Sequence, residues 1–189
     1  MSKAIPISAA LFMLLISFAA ALFLDGQQLK ASEYHVSVSG NDSNPGTLSN
    51  PWRTVQHAAN SVAPGDTVII HGGTYEEEVV FRYSGTTEAP ITFSAAPDET
   101  VTVEGLEFAA GTAYMNIYNL KIEGESIWRV WLRGNNHHIT LKGLAITGGE
   151  AGVRLTWGNS GQQPVDGPVS DIVLEDSLIQ GPAYNPRPC

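Results

Sequence analysis

Short runs in which apolar and polar residues alternate follow one another along the chain from residue 34 onward. Examples are HVSVS, TVIIHGG, PITFSA, TVTVEG and HITLKG, and Gly, Pro, Asn or Asp interrupts most of the runs. Alternation with a period of two predicts β-strands with one buried side, and the interrupting residues are typical of turns. We therefore expect a protein built mostly from short strands.

One segment has the spacing of a helix instead. Thr54 can cap its amino end, and Pro64 with Gly65 ends it. Apolar residues at i, i+3, i+4 and i+7 form one side of a short amphipathic helix. These residues are Val55, Ala58, Ala59 and Val62.

Three ten-residue segments superpose without gaps: MNIYNLKIEG (115–124), ITLKGLAITG (139–148) and IVLEDSLIQG (172–181). The steps between them are 24 and 33 residues, and a polar insertion at 158–168 explains the longer step. The alignment predicts ladders of side chains at equivalent places in successive turns. The ladders are Met115/Ile139/Ile172, Ile117/Leu141/Leu174, Leu120/Leu144/Ser177, Ile122/Ile146/Ile179, Val130/Val153 and Leu132/Leu155.

Repeats of this length, made of strands and without a helix in each repeat, predict an all-β solenoid. A β-sandwich is the structural alternative, because its strands are also short and regularly spaced. A sandwich has no reason to repeat one ladder at a fixed period, so the pattern favours the solenoid.

The segment from Tyr34 to about Gly105, which includes GNDSNPGTLSNPWRTVQHAA and GDTVIIHGGTY, resembles the amino-terminal part of secreted proteins of the pectate-lyase-like superfamily. Certain pectate lyases and the chondroitinase B and alginate lyase relatives are the most similar groups. The resemblance implies a right-handed parallel β-helix whose open amino end is plugged by a short capping helix. The expected organisation is a signal peptide at 1–31, a strand, loop and capping helix at 32–66, and β-helix coils at 67–189 that are truncated at the carboxyl end.

The amino terminus predicts export. Lys3 precedes an apolar run from Ala9 to Leu24, as in a secretory signal peptide, and the expected location is extracellular or at the cell surface. A membrane contact is expected only if this segment stays uncleaved. The net charge of −9 argues against a nucleic-acid partner. The single cysteine, Cys189, leaves no intramolecular disulfide.

Three polar stretches were candidates for metal or acid–base chemistry, and none of them predicts a metal site. Counted from Asp42, an EF-hand loop would need a glutamate where Arg53 stands, so 40–52 is interpreted as a turn and cap. Alternation places at most two of Glu76–Glu78 on one side of a strand, which predicts a solvated acidic edge. His137 and His138 are expected to point in opposite directions and to form a polar turn.

The segment IWRVWLRG (127–134) carries the strongest candidate for binding. If Val130 and Leu132 point inward, their neighbours along the strand point outward, and the alignment places a further arginine beside the tryptophan in the next coil. Trp can stack on a sugar ring and Arg can bind a carboxylate or sulfate. The candidate substrate-binding residues are Arg129, Trp131, Arg133 and Arg154, and the expected partner is an acidic polysaccharide.

Five of the eight basic residues that follow the predicted signal peptide lie between Lys121 and Arg154. The alternative interpretation is that they make ordinary surface pairs with Glu123, Glu125 and Glu150 and stack on the Trp131 ring. Lys142 is expected to lie over an acidic residue, Glu175, of the next coil.

Uronate lyases remove the proton next to a carboxylate, which requires a cation on that carboxylate and a base at the proton. The family places its calcium-binding acids and basic catalytic residues on later coils. No catalytic residue or cofactor site carries over to this chain, although the family implies calcium. The carboxyl-terminal acids Asp171, Glu175 and Asp176 match no family site.

We therefore expect an extracellular polysaccharide-processing protein of a uronate lyase-like lineage. β-Elimination is the expected reaction of the full-length protein, and this chain is expected to be inactive on its own, as a fragment without the catalytic coils. The alternatives are a non-catalytic carbohydrate-binding or cell-surface protein, and a structural shell without a small ligand.

Overall fold

A computed structural model describes residues 31–124, 128–148, 151–155 and 168–180. These residues form thirteen strands and one short helix. The early elements are β1 (Glu33–Val36), α1 (Val55–Ser61), β2 (Thr67–Ile70), β3 (Gly73–Phe81), β4 (Ile91–Ala95) and β5 (Val101–Phe108). The later strands are β6 (Ala113–Tyr118), β7 (Lys121–Glu123), β8 (Trp128–Leu132), β9 (His137–Lys142), β10 (Ala145–Thr147), β11 (Ala151–Leu155), β12 (Ser170–Glu175) and β13 (Leu178–Gln180).

The strands form two parallel sheets. The first sheet has the order β1-β2-β4-β6-β9-β12, so each successive coil adds one strand to it. In the second sheet β3 pairs with β5, and β5 pairs with both β7 and β8 of the next coil. The order continues from β7 to β10 and β13, and from β8 to β11. Parallel pairing between equivalent strands of successive coils is the architecture of the predicted right-handed parallel β-helix.

The register confirms the predicted ladders. In the first sheet Ile139 lies between Met115 and Ile172, and the Ile117, Leu141 and Leu174 ladder is also in register. In the second sheet Ile146 lies between Ile122 and Ile179, while Val153 pairs with Val130 and Leu155 with Leu132. The 24-residue step is therefore one coil, and the 33-residue step is one coil with an insertion.

The predicted helix is also confirmed. Thr54 has extended backbone dihedrals and its side-chain hydroxyl accepts a hydrogen bond from the His57 amide, which is a typical amino-terminal cap. Val55, Ala58 and Ala59 are buried in the hydrophobic cluster that also holds the first strands of the solenoid. The short helix therefore adds apolar side chains to the amino end of the core.

One corner between the sheets requires a left-handed backbone. Asn119, Gly143 and Asp176 occupy equivalent places in three coils and have φ values of 60°, 67° and 49°. At the central position a Cβ atom would lie 2.3 Å from Asn119 Oδ1, so any larger residue there would force the Asn119 side chain to move, and glycine avoids this.

The predicted signal peptide and the segments 125–127, 149–150, 156–167 and 181–189 lie outside the described residues. Among the residues that are described, no helix is long and apolar enough to span a membrane.

Candidate functional site

The outer side of the second sheet brings most of the predicted binding residues together. Glu107 of β5, Trp131 of β8 and Arg154 of β11 occupy the same place in three successive coils, and Arg133 follows the end of β8. We call this surface, formed by Glu107, Trp131, Arg133 and Arg154, the arginine–tryptophan face. Its side chains point outward because their strand neighbours Val130 and Leu132 are fully buried.

Two guanidinium groups lie close to the indole ring of Trp131. The ζ carbon of Arg133 lies 4.0 Å from the ring centroid of Trp131, and that of Arg154 lies 5.9 Å from it. Both distances are within the range of cation–π attraction. Both cations therefore lie close to the Trp131 ring, on a surface that is partly open to solvent.

Arg133 also forms an ion pair with the preceding coil. Its Nε atom lies 2.8 Å from Glu107 Oε1, but its N–H is not directed along this contact, so the pair lacks a hydrogen bond through Nε. The Glu107 side chain is 16% exposed and that of Arg133 is 38% exposed. The ion pair and the stacked ring together restrict the position of the Arg133 guanidinium.

The expectation that Arg129 lies on the exposed surface is wrong. Arg129 is only 1% exposed, and one of its guanidinium nitrogens donates a hydrogen bond of 3.5 Å to the backbone oxygen of Glu104. Gly124 and Gly148 lie against the guanidinium, and a Cβ atom at either place would come within 3.0 or 3.3 Å of a guanidinium nitrogen. The glycines thus leave room for an outward-pointing side chain to be covered by the turns of neighbouring coils.

Acidic groups accompany the cations on this side of the sheet. Burial raises the pKa of the Glu78 carboxyl, the negative charges of Glu107 and Glu104 raise it further, and the positive charge of Arg133 partly opposes them. The surface is therefore mixed in sign, and the positive field that the sequence suggested is reduced around Glu107.

Other members of the predicted basic cluster have acidic partners. Lys121 pairs with Glu123, and Lys142 lies 3.3 Å from Glu175 and 3.4 Å from Asp176. The prediction that Lys142 lies over Glu175 is confirmed by the register. The proposed partners Glu125 and Glu150 lie outside the described residues.

The acidic run in β3 contains a helix-capping group that the sequence did not predict. Glu77 accepts hydrogen bonds from the amides of Val55 and Gln56, at 2.8 and 3.0 Å, at the amino end of α1. A carboxylate is stabilising there because these amides have no partner within the helix. Glu76 and Glu78 are exposed, as expected of a solvated edge.

The interpretation of 40–52 as a turn and cap agrees with the contacts of Asp42. Its Oδ1 accepts from the amides of Arg53 and Thr54 at 2.8 and 2.9 Å, and its Oδ2 accepts from the Thr54 hydroxyl at 2.9 Å. Burial raises the pKa of Asp42, but the hydrogen bonds from Thr54 and Arg53 outweigh it and hold the pKa below its ordinary value. Both carboxylate oxygens are used within the fold, so the loop does not fit a calcium ion.

Within the described ranges, no group of three or more His, Cys, Asp or Glu side chains is placed to hold a metal ion. The described residues therefore do not fit the calcium site that the family implies, and Asp171, Glu175 and Asp176 do not form one.

The expectation that the adjacent histidines point in opposite directions is wrong. Their Nδ1 atoms are 2.9 Å apart, so the rings of His137 and His138 meet on one side of the chain. His138 has a φ of 53°, and this left-handed conformation breaks the alternation of an ordinary strand. Tyr114 of the preceding coil stacks on His138 with a centroid separation of 4.7 Å. The two histidines are also the first residues of β9 and follow the turn instead of forming it, and their rings pack against Tyr114.

A cleft of about 280 Å³ lies beside the amino end of α1, and Tyr75 and Glu77 are among its lining residues. Glu77 is bonded to α1, and the Tyr75 hydroxyl donates to the His71 backbone oxygen at 2.8 Å. These polar groups are engaged in the fold, whereas the arginine–tryptophan face presents an aromatic ring with cations. The face is therefore the better candidate for recognition.

Glu107 was not among the predicted binding residues, although the 24-residue repeat indicates its position. Counting one 24-residue step back from Trp131 gives Glu107, which the structure pairs with it. The contact between His35 and His71 had no comparable signal, because the two residues belong to no aligned segment.

The family described as Pel9A-like, right handed beta helix region, has a model that matches residues 34–165. The uncharacterized protein YwoF of Bacillus subtilis (strain 168) is 32% identical over 133 residues, which cover 60% of this chain and 28% of that protein. Pectate lyase PEL9 of Emericella nidulans is 33% identical over 79 residues, or 41% of this chain and 19% of that protein. The chain thus spans less than a third of the length of either relative.

Among solved structures, a rhamnogalacturonan lyase superposes with a TM-score of 0.51 at 14% identity, covering 78% of this chain and 51% of that protein. A likeness at this identity concerns the fold alone.

Proposed function

Because the chain belongs to the Pel9A-like right-handed β-helix family, we propose that it binds an acidic polysaccharide through the arginine–tryptophan face. We further propose that it does so outside the cell, as part of a protein that processes such polysaccharides by β-elimination. The observation that carries the proposal is the outward Trp131 ring with the guanidinium groups of Arg133 and Arg154 within about 6 Å of its centroid.

The chemistry of this arrangement suits a uronate chain. An indole ring offers a flat apolar surface for the face of a sugar, and guanidinium groups bind carboxylates in a bidentate manner. The three outward residues Glu107, Trp131 and Arg154 follow one another along the solenoid axis at the spacing of adjacent strands, about 4.8 Å. An extended polymer lying along this axis can contact more than one coil.

Glu107 supports selectivity within the same proposal. Its carboxylate partly neutralises Arg133, so we expect Arg133 to attract a substrate carboxylate less strongly than an unpaired arginine would. Arg133 then acts mainly by holding the Trp131 ring in place through its stacked guanidinium.

The proposal is tested by binding of oligogalacturonate, measured by calorimetry, with retention on pectin, alginate and chondroitin sulfate columns as a second readout. Trp131→Ala and Arg154→Ala are each expected to weaken binding about fivefold or more, since central aromatic and arginine contacts are each worth more than about 1 kcal/mol. Lys142→Ala is the matched control, because Lys142 is a cation of the first sheet that pairs with Glu175.

Unchanged retention of Trp131→Ala and Arg154→Ala would contradict the proposal and favour a structural shell without a small ligand. Equal losses for Arg154→Ala and Lys142→Ala, with no loss for Trp131→Ala, would mean that only nonspecific charge attraction is present. A neutral galactan is expected to bind more weakly than the acidic oligomer.

Catalysis is tested separately from binding. In β-elimination the C5 proton leaves, the C4–O bond breaks, and a C4–C5 double bond forms that absorbs ultraviolet light. We expect the chain to bind without forming this product, because the resemblance implies that the catalytic residues lie on later coils. Formation of the unsaturated product by the purified chain would overturn the non-catalytic assignment of these coils.

A further inference from the structure

Two histidines from successive coils meet beside the first sheet. His35 belongs to β1, and His71 directly follows β2, with its amide donating to the Val36 oxygen at 2.8 Å. The Nδ1 atom of His35 lies 3.2 Å from Nε2 of His71, and the rings are stacked with a centroid separation of 5.4 Å. The side chains are 11% and 26% exposed, so their positions are defined by packing but remain open to a small ion.

Each ring has a carboxylate on its other nitrogen. His35 Nε2 lies 3.2 Å from Glu33 Oε1, and His71 Nδ1 lies 3.4 Å from Glu99 Oε1. The second oxygen of Glu99 accepts a hydrogen bond from the Gly72 amide, which fixes that carboxylate. When the outer nitrogens donate to these carboxylates, the two facing nitrogens present their lone pairs to each other across 3.2 Å.

This arrangement is the one that proteins use for metal-binding histidines. A ligating imidazole usually donates its other N–H to a carboxylate, which fixes the tautomer and makes the free nitrogen a stronger ligand. Here both histidines have such a carboxylate. Without a metal, the facing nitrogens can share one proton, because a hydrogen bond between them needs one donor and one acceptor.

The separation of the facing nitrogens sets the geometry at a bound ion. With zinc–nitrogen distances of about 2.05 Å, two nitrogens 3.2 Å apart subtend an angle of about 103° at the metal. This angle is near the tetrahedral value that Zn²⁺ adopts, whereas Ca²⁺ takes oxygen ligands. We propose that His35 and His71 bind a divalent transition-metal ion of the Zn²⁺ type, with water completing the coordination and Glu33 and Glu99 orienting the two rings.

The proposed site joins parts of the chain that are distant in sequence. Binding would link β1 to the segment that follows β2, and through Glu99 to the turn after β4. None of its residues belongs to the arginine–tryptophan face, so this proposal does not depend on polysaccharide binding.

The chain contains a second histidine pair that serves as a matched control. His137 and His138 have Nδ1 atoms 2.9 Å apart, but Asp171 Oδ2 lies 3.8 Å from the facing Nδ1 of His138 and not from an outer nitrogen. The His138 side chain is also 51% exposed. The pair therefore lacks the two orienting carboxylates that distinguish His35 and His71.

The test is a calorimetric titration of the whole chain with Zn²⁺. We expect one ion per chain, a loss of affinity of at least tenfold in His71→Ala, and little change in His137→Ala. Glu99→Gln keeps both ligands and is expected to weaken binding about 10–100-fold, as is typical when an orienting carboxylate is removed. Absence of Zn²⁺ binding by the native chain, or equal losses in His71→Ala and His137→Ala, would overturn the proposal.

A spectroscopic readout separates a lost site from a misfolded variant. Co²⁺ in a tetrahedral nitrogen and oxygen environment is expected to give a visible absorption band in the native chain and in His137→Ala, and a weaker band in Glu99→Gln. Circular dichroism of each variant checks the fold. If His71→Ala does not fold, Glu99→Gln decides the question, and a Co²⁺ band that is the same in Glu99→Gln and the native chain contradicts the role of the carboxylate.

Discussion

At the scale of single residues, carboxylates in similar sequence surroundings have different roles because their neighbours differ. Asp42 accepts hydrogen bonds from two amides and a hydroxyl, so its ionised form is favoured in the folded protein. The Glu78 residue is exposed overall, but partial burial of its carboxyl group and the negative charges of Glu107 and Glu104 raise its pKa above the ordinary value. Spacing in the sequence indicates neither difference, because both depend on groups that the fold brings together.

Asp42→Asn is expected to lower the melting temperature by about 2–4 °C at pH 7. An amide cannot accept at both positions, and we estimate the loss of charge-assisted bonds at a partly exposed site as about 1 kcal/mol. The lowered pKa of Asp42 means that its contribution is complete above the ordinary value of about 3.9 and is lost as the pH falls through the folded value. Thermal unfolding from pH 2 to 7 measures both effects, and equal acid sensitivity of the two proteins would contradict the assignment.

Glu78→Gln is expected to have the opposite effect. The raised pKa of Glu78 means that its contribution to stability is greatest below the ordinary value of about 4.3 and is lost as the pH rises through the folded value. The variant should therefore melt about 1–2 °C higher at pH 7, a size typical of surface changes, with no gain at pH 3. Glu76→Gln is the neighbouring control. A lower melting temperature for Glu78→Gln at pH 7 would show that its charge is stabilising.

At the scale of strands and helices, the repeat in the sequence was sufficient to predict the register. Apolar positions alternate along each strand and return after one coil, so aligned residues such as Ile122 and Ile146 have to stack. The same rule distinguishes inward from outward side chains, but it does not say which outward side chains remain exposed. Arg129 is covered because the turns at Gly124 and Gly148 approach it, and this depends on the path of turns that have no periodic signal.

A pair of substitutions on one ladder tests the stacking. Ile146 is fully buried, and Ile146→Ala is expected to reduce the free energy of unfolding by about 2–5 kcal/mol. Ile179 occupies the same place in the last described coil but is 45% exposed, so Ile179→Ala should lose about half as much or less. Denaturant unfolding provides the comparison. Equal losses at the two positions would contradict the burial of this ladder.

At the scale of the whole molecule, the solenoid separates the buried core from the outward-facing side chains. Inward ladders and α1 form one hydrophobic core, while the outward residues of each coil are placed at strand spacing on a continuous surface. The family and the fold could be predicted from the sequence because the core repeats. The sequence identified Trp131, Arg133 and Arg154 as candidates, but not the ion pair of Arg133 with Glu107 or the contact between His35 and His71. Those contacts arise between residues without a shared sequence pattern.

The central claim is that an acidic polysaccharide contacts the arginine–tryptophan face, and indole resonances in a ¹H–¹⁵N NMR titration test it most directly. The chain has four tryptophans, and Trp131→Phe identifies the signal of Trp131. Trp52 is 5% exposed and donates its indole N–H to the Asn44 oxygen at 2.8 Å, so it is an internal control. Oligogalacturonate should shift the Trp131 resonance in a saturable manner, with that of Trp52 unchanged. A Trp131 resonance that does not move at saturating ligand would contradict the claim.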